Sequence, residues 1–301
     1  MLTVKQTLCW EPASLDAVLR YRALPLLAPS ADYCAANLYM WDETYHQELA
    51  FCGERAAGRI LEEDGRYRYL FPVGTGEIDA LLDALLEEAV ARDGMLRFVG
   101  VSEAEMPTLV QKYGDRLEIL ETREWADYLY DAEKLATLSG KKLHGKRNHI
   151  NAFCAAHTYE CIPLTVAHLP ICMQLLDAWQ AMQEREGAAE ERRAIERGFE
   201  AFEALALEGM ILVADGRPVA FCVGSAITEA CYCVHFEKAL PDVNGAYPMI
   251  NREFVRMLRA RHPHLTLINR EDDMGLPNLR AAKLSYHPVA MLRKFDVRVL
   301  H

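Results

Sequence analysis

Two apolar, β-rich runs meet at Asp215-Gly216 in MILVADGRPVAFCVGSAI, and this junction constrains the fold more than any other feature. Asp and Gly both tolerate positive φ, as a tight two-residue hairpin demands, so the flanking runs pair antiparallel. A third strand, EACYCVHFEKA, follows directly. Upstream lie a strand at Tyr159–Thr165 and two helices, around Leu169–Glu184 and Glu191–Glu208. Their apolar residues recur at helical spacing: Ile171, Leu175, Ala178 and Met182, then Ile195, Phe199, Phe202 and Leu205. Downstream, the loop LPDVNGAYP enters a helix from about Met249 to Arg261. A strand LTLIN, a helix over Pro277–Leu284 and a closing strand VAMLRKFDVRVL complete the order β-α-α-β-β-β-α-β-α-β.

The N-terminal half repeats this order more faintly. LDAVLRYRAL and Asn37–Thr44 read as helices, and Glu48–Phe71 as three strands with turns at Gly53 and Asp64-Gly65. Ile78–Ala91 is a helix with Leu81, Leu82, Leu85, Leu86 and Val90 on its apolar side. LRFVGV is a strand, Glu103–Lys112 a short helix, and Leu117–Tyr130 closes with strands. Between the halves, Leu135–Phe153 reads as a connecting basic helix, broken near Gly140 and Gly145. The expected division is therefore an N-terminal domain over 1–130, a connector over 131–157 and a C-terminal domain over 158–301. The fold class is α/β, with two tandem domains built on mixed sheets.

Charge and composition exclude several classes. Thirty-three basic against 44 acidic residues give a formal net charge of −11, so nucleic acid or anionic lipid can be met only through a local basic patch. No apolar run approaches the roughly 20 residues that cross a bilayer. MLTVKQTLCWEP carries no secretory signal, which predicts a cytoplasmic protein with reduced thiols. The nine cysteines include no C-x-x-C pair. Cys231 and Cys233 would share a strand face as half a zinc site, but partners at ligand spacing are missing, so no metal is expected.

The element order of each half resembles the GNAT acyltransferase fold. DYLYDAEKLATLSGKKLHGKRNHINAF (Asp127–Phe153) and INREDDMGLPNLRAAKLSYHP (Ile268–Pro288) resemble the signature segments of the phosphatidylglycerol lysyltransferase C-terminal domain family; NLYMW and FPVG also fit. That resemblance covers nearly the whole chain. It implies tandem GNAT-like domains related to the Fem-type aminoacyltransferases, in a bacterial protein. Characterised relatives transfer an aminoacyl group from aminoacyl-tRNA to a lipid or a cell-wall peptide precursor. The implied function is acyl transfer from aminoacyl-tRNA to a small-molecule or cell-envelope acceptor. An acyl-CoA-dependent N-acyltransferase and a non-catalytic ligand-binding module are the alternatives.

Four groups of residues could carry such chemistry. The first is the basic cluster Lys141, Lys142, His144, Lys146, Arg147, with Asn148 and His149 beside it; on a helix, Lys142, Lys146 and His149 would share a face. Directed cationic donors suit a tRNA end or another phosphorylated donor; a solvated, salt-bridged helix face is the alternative. The second is Asp242-Val243-Asn244-Gly245-Ala246-Tyr247, at the place where acetyl-CoA-binding GNAT domains cradle pyrophosphate. An acid and the bulky Tyr247 oppose that, so acyl-CoA is disfavoured and no cofactor is expected. The N-terminal counterpart, Phe71 to Gly76, has glycines but no leading base.

The third group is NREDDMG with KLSYHP. Asp272 or Glu271 would be the base for the acceptor's proton, Tyr286 and Lys283 would supply the donor role, and Asn269 would contact substrate. Acids capping the next helix are the alternative. The fourth is His235 and Glu237, which simple alternation puts on one strand face, opposite Phe236; such a pair could bind substrate or act in proton transfer, and a histidine satisfied within the core is the alternative. Trp179, Tyr128 and Tyr130 read as core.

Overall fold

The chain's fold is that of a computed structural model, which describes residues 7–182 and 187–300. By its contacts the chain forms two units, Met1–Ala126 with Leu292–His301, and Asp127–Met291. The first unit contains β1 (Glu11–Pro12), α1 (Leu15–Arg22), α2 (Ala35–Met40), α3 (Asp42–Tyr45), β2 (Glu48–Cys52), β3 (Arg55–Leu61), β4 (Tyr67–Gly74), α4 (Asp79–Asp93), β5 (Leu96–Ser102), α5 (Met106–Tyr113) and β6 (Leu117–Glu121). The second contains β7 (Asp127–Asp131), α6 (Ala132–Thr137), α7 (His144–Ala156), β8 (Tyr159–Pro163), α8 (Leu169–Ala181), α9 (Ala188–Glu200), β9 (Glu208–Ala214), β10 (Arg217–Thr228), β11 (Cys231–Ala239), α10 (Ala246–Arg261), β12 (Leu267–Asn269), α11 (Pro277–Leu284) and β13 (Ala290–Leu292). A last strand, β14 (Lys294–Val299), belongs to the first sheet.

Each unit holds one seven-stranded mixed sheet, ordered β1-β2-β3-β4-β5-β14-β6 and β13-β7-β12-β11-β10-β9-β8. The expected division at 130/131 and 157/158 is not where the units part. β7, inside the predicted N-terminal domain, pairs with β12, and the closing segment is two strands in two different sheets, not one. The connector is likewise part of the second unit: Arg256 of α10 donates to Ala136 O at 2.9 Å. The connector's break falls at Gly140, whereas Gly145 continues α7. The predicted helix over Leu169–Glu184 is α8; Gln183 and Glu184 lie outside the described residues.

Local chemistry explains the elements of the second unit. Asp215 (φ 50°) and Gly216 (φ 78°) both take the left-handed conformation, which matches the right-handed twist of β9 and β10. Asp131 caps α6 by accepting from Lys134 N, and Pro277 pre-sets φ in the first turn of α11. The apolar stripe of α10, with Met249, Ile250, Phe254, Val255 and Leu258 buried, covers one sheet face against Tyr232, Val234, Leu212 and Cys222. Helices α8 and α9 cover the other, where Phe199 meets Phe221 with ring centroids 6.4 Å apart.

In β11 the alternation is interrupted. Val223 opposes Phe236 while Gly224 opposes Val234, so His235 is the extra residue of a β-bulge. This bulge re-aims every side chain after it. On the α10 face of this strand, Phe254 is fully buried, edge-on to Tyr232. Phe254→Ala is expected to lower the stability of the second unit by about 3–5 kcal/mol, read as a shift of its urea transition.

Candidate active site

β11 and β12 run parallel only from Cys231/Leu267 to Cys233/Asn269. Beyond Asn269 the chain follows β7 instead: Arg270 N donates to Tyr128 O, and Tyr128 N donates to Glu271 O, at 3.0 and 3.1 Å. The two strands part here, and consecutive residues on each side of the opening meet different partners.

On the α10 side, Arg270 Nη2 donates to Glu237 Oε1 at 3.0 Å. Glu237 Oε2 accepts from Asn251 Nδ2 of α10 at 2.8 Å. The Arg270 guanidinium lies 4.8 Å from the Tyr286 ring centroid, and Lys146 Nζ of α7 lies 4.0 Å from the same ring. Tyr130 stands edge-on to Tyr286 and donates its hydroxyl to Lys283 O at 2.8 Å. Two buried polar atoms of this cluster have no partner in the protein, Arg270 Nη1 and Asn251 Oδ1. They are one donor and one acceptor, available to a ligand or an ordered water.

Electrostatics follow from this packing. Burial opposes the charge of Arg270, but Glu237 together with Tyr130, Tyr286 and Cys222 outweighs it, and the guanidinium is held above its ordinary pKa. Burial pushes Lys146 below its usual value, and Arg270 adds to the shift. Burial pushes Tyr286 up, so its hydroxyl keeps its proton at neutral pH.

On the α8/α9 side of the opening, His235 Nε2 lies 2.8 Å from Ser225 Oγ and His235 Nδ1 lies 3.2 Å from Glu271 Oε1. Cys233 Sγ donates to the same carboxylate oxygen at 3.4 Å. The three donor atoms of Cys233, His235 and Glu271 lie within 4.8 Å of one another. The expectation that His235 and Glu237 share a face is thus incorrect, because the bulge at His235 separates them. Cys231, two residues before Cys233, is not part of this group; the atoms that meet Cys233 belong to His235 and the distant Glu271.

The NREDDMG loop is held from within. Asn269 Nδ2 donates to Asp127 at 2.9 Å, and Asn269 Oδ1 accepts from Glu271 N at 2.7 Å, which fixes Glu271 at φ 57°. Asp272 Oδ1 accepts from Met274 N. Asp273, fully buried, accepts from Tyr128 Oη at 2.5 Å and from Arg280 at 2.8 and 2.9 Å. Burial alone would raise its pKa, yet the Arg280 and Tyr128 hydrogen bonds hold the carboxyl well below the usual range. Lys283 Nζ donates to the carbonyls of Arg270 and Asp272.

Of the proposed catalytic residues, Tyr286 therefore meets Arg270 and Lys146 rather than Asp272. Asp272 turns its carboxylate to its own loop, Lys283 ties that loop down, and Glu271 serves the opposite side. The basic cluster also divides. Lys146 reaches Tyr286, while Arg147 Nη1 binds the carbonyls of Leu138 and Gly140, at 2.8 Å for the latter. His144 meets Asn148, and His149 Nδ1 lies 3.2 Å from Asn244 Oδ1. Lys141 and Lys142 are exposed and precede the first turn of α7, so Lys142 does not share its face. Tyr247 accepts from Trp179 Nε1 at 3.0 Å, and Trp179 in turn faces Lys238, which is paired with Glu191 at 2.8 Å. Arg270 and Asn251 were not singled out from sequence. Arg270 hid inside an acidic segment; Asn251 was legible as the polar residue interrupting the apolar stripe of α10.

The fold is that of the GNAT- and Fem-type acyltransferases, present as a tandem pair. The chain matches the family described as phosphatidylglycerol lysyltransferase, C-terminal, over residues 25–298, and it belongs to that family. A conserved protein of unknown function from Bacteroides thetaiotaomicron VPI-5482 is 33% identical, with a TM-score of 0.91 over 97% of this chain and 100% of that one. The C-terminal domain of a putative lysylphosphatidylglycerol synthetase from Agrobacterium fabrum shares the fold at 17% identity, with a TM-score of 0.66 over 96% of this chain and 93% of that one. FemX shares it at 9% identity, with a TM-score of 0.62 over 96% of each chain. An uncharacterised protein of Mycoplasmoides gallisepticum is 27% identical over 182 residues; the match spans 58% of this chain and 56% of that protein. Among the described residues no helix is long and apolar enough to cross a membrane.

The Asp273 ion pair gives a test with a defined sign. Its folded pKa is depressed below an unfolded value of about 3.9, so its stabilisation is complete above that pH and is lost as pH falls towards the folded value. Asp273→Asn is expected to cost about 1.5–3 kcal/mol at neutral pH, and the gap from wild type should narrow in acid denaturation series.

Proposed function

We propose that the second unit transfers an aminoacyl group from aminoacyl-tRNA to a small or cell-envelope acceptor, in the cytoplasm. The observation that carries this reading is the buried Arg270–Glu237–Asn251 cluster beside Lys146 and Tyr286, where β11 and β12 part. An aminoacyl ester offers a carbonyl oxygen for the unused Arg270 Nη1 donor and an ammonium for the unused Asn251 Oδ1 acceptor and the Glu237 carboxylate. Arg270 would then stabilise the oxyanion as the acceptor attacks the carbonyl. Lys146, with its pKa driven down, would take the acceptor's proton, and the protonated Tyr286 would donate to the departing ribose oxygen. The family membership supports the aminoacyl donor, and the exposed Lys141 and Lys142 suit its phosphates.

The start of α10 argues against the acyl-CoA alternative. A Cβ on Gly245 would lie 2.5 Å from His149 O and 2.9 Å from Phe153 Cβ, so α7 closes on the loop that pyrophosphate would need. A carbonyl oxygen faces that position, and Tyr247 is engaged with Trp179. Isothermal titration with acetyl-CoA should give no binding at micromolar concentration.

Lys146 is tested by two variants in a transfer assay with charged tRNA. Lys146→Met should lower the rate by about 100-fold or more. Lys146→Arg keeps the charge but cannot release its proton near neutral pH, so it should fail equally. The wild-type rate should rise with pH up to a lysine pKa below the ordinary value. Recovery of activity by Lys146→Arg would mean that the residue serves only as a cation.

A further inference from the structure

We propose that Cys233, His235 and Glu271 form a binding site for a divalent cation of the zinc class. The proposal is independent of the transfer reaction. A thiolate, an imidazole and a carboxylate are the donor set that borderline-soft divalent ions select. The spacing fits. Tetrahedral zinc bonds of about 2.0–2.1 Å to N, 2.3 Å to S and 2.0–2.2 Å to O put the N···O and S···O edges near 3.4 and 3.6 Å. Here Nδ1···Oε1 is 3.2 Å and Sγ···Oε1 is 3.4 Å.

The protein also supplies what surrounds such a site. The β-bulge turns His235 to the side of the sheet that carries Cys233 and Ser225, which oppose each other across β10 and β11. Ser225 Oγ, 2.8 Å from Nε2, fixes the ring so that Nδ1 is the ligating nitrogen. Glu271 is held at φ 57° by the Asn269 side chain, and Asn269 is held by Asp127. A non-glycine residue kept in the left-handed region costs energy and marks a position the surroundings dictate. The imidazole is fully buried, whereas the Glu271 side chain is 26% exposed, so an ion enters past the carboxylate and keeps its fourth position on that side.

The chain Ser225–His235–Glu271 also has the order of a hydrolytic triad. Ser225 is only 4% exposed and lies on the ring nitrogen away from the open carboxylate, a position for an orienting residue and not for a nucleophile. A bound ion would tie β11 to the loop beyond β12, at the point where the two strands part.

The test uses the full chain, stripped with chelator and titrated with Co2+. One equivalent should produce thiolate-to-cobalt charge transfer and the d–d bands of a four-coordinate ion, and Zn2+ should abolish both by displacement. Cys233→Ser should remove the charge transfer. His235→Gln and Glu271→Gln should weaken binding at least tenfold, and Ser225→Ala about 10–100-fold. Cys154→Ser, at an exposed cysteine outside the cluster, should change nothing. Should Cys233→Ser fail to fold, Glu271→Gln at the partly exposed position carries the test, with circular dichroism reporting the fold. Absence of charge transfer at one equivalent, its survival in folded Cys233→Ser, or undiminished affinity in Glu271→Gln overturns the proposal.

Discussion

A guanidinium largely withdrawn from water must be paired, and the opening in the second sheet is organised around that requirement. Arg270 meets Glu237, which is fixed in turn by Asn251, and the faces of Tyr286 and Tyr130 accept the remaining charge. Removing one partner of a buried ion pair costs about 3–5 kcal/mol, because the other charge is left stranded. The pair therefore fixes where β11 and the segment after β12 can lie, and it leaves Nη1 as a directed donor inside the protein.

Backbone geometry then sorts chemistry onto two sides. Arg270 and Glu271 are neighbours in sequence, yet one serves the α10 side and the other the α8/α9 side. The bulge at His235 does the same on β11, sending His235 to Glu271 and Glu237 to Arg270. Two ladder bonds to Tyr128, the Asn269 side chain and Lys283 hold the loop in a conformation that Glu271 would not adopt unaided. The acids of this segment are thus mostly structural in geometry: Asp273 anchors Tyr128 and Arg280, and Asp272 closes a turn.

The basic helix is sorted in a similar way. Four residues of one short segment have three situations: Lys141 and Lys142 in solvent, Lys146 over the Tyr286 ring, and Arg147 closing the carbonyls at the end of α6. A charge pattern read along the chain assigns them one purpose, and packing divides them: Lys146 gives up hydration against an aromatic face and Arg147 against backbone carbonyls, while Lys141 and Lys142 keep theirs.

The sequence by itself determined the elements and the family. Hydrophobic period, the Asp215-Gly216 hairpin, Pro277 and the signature segments are local features, so they predict strands, helices and the tandem α/β fold without any long-range information. It also named Lys146, Tyr286, His235, Glu237 and Glu271. What it could not supply was their partners. Alternation along β11 is a local rule, and one extra residue at position 235 reverses it for everything that follows. Which sheet takes β7 and β14 depends on pairings across the fold, and the meeting of Cys233 with Glu271 spans 38 residues that no ligand spacing describes. These associations are decided by where β11 and β12 part, and only tertiary packing fixes that point.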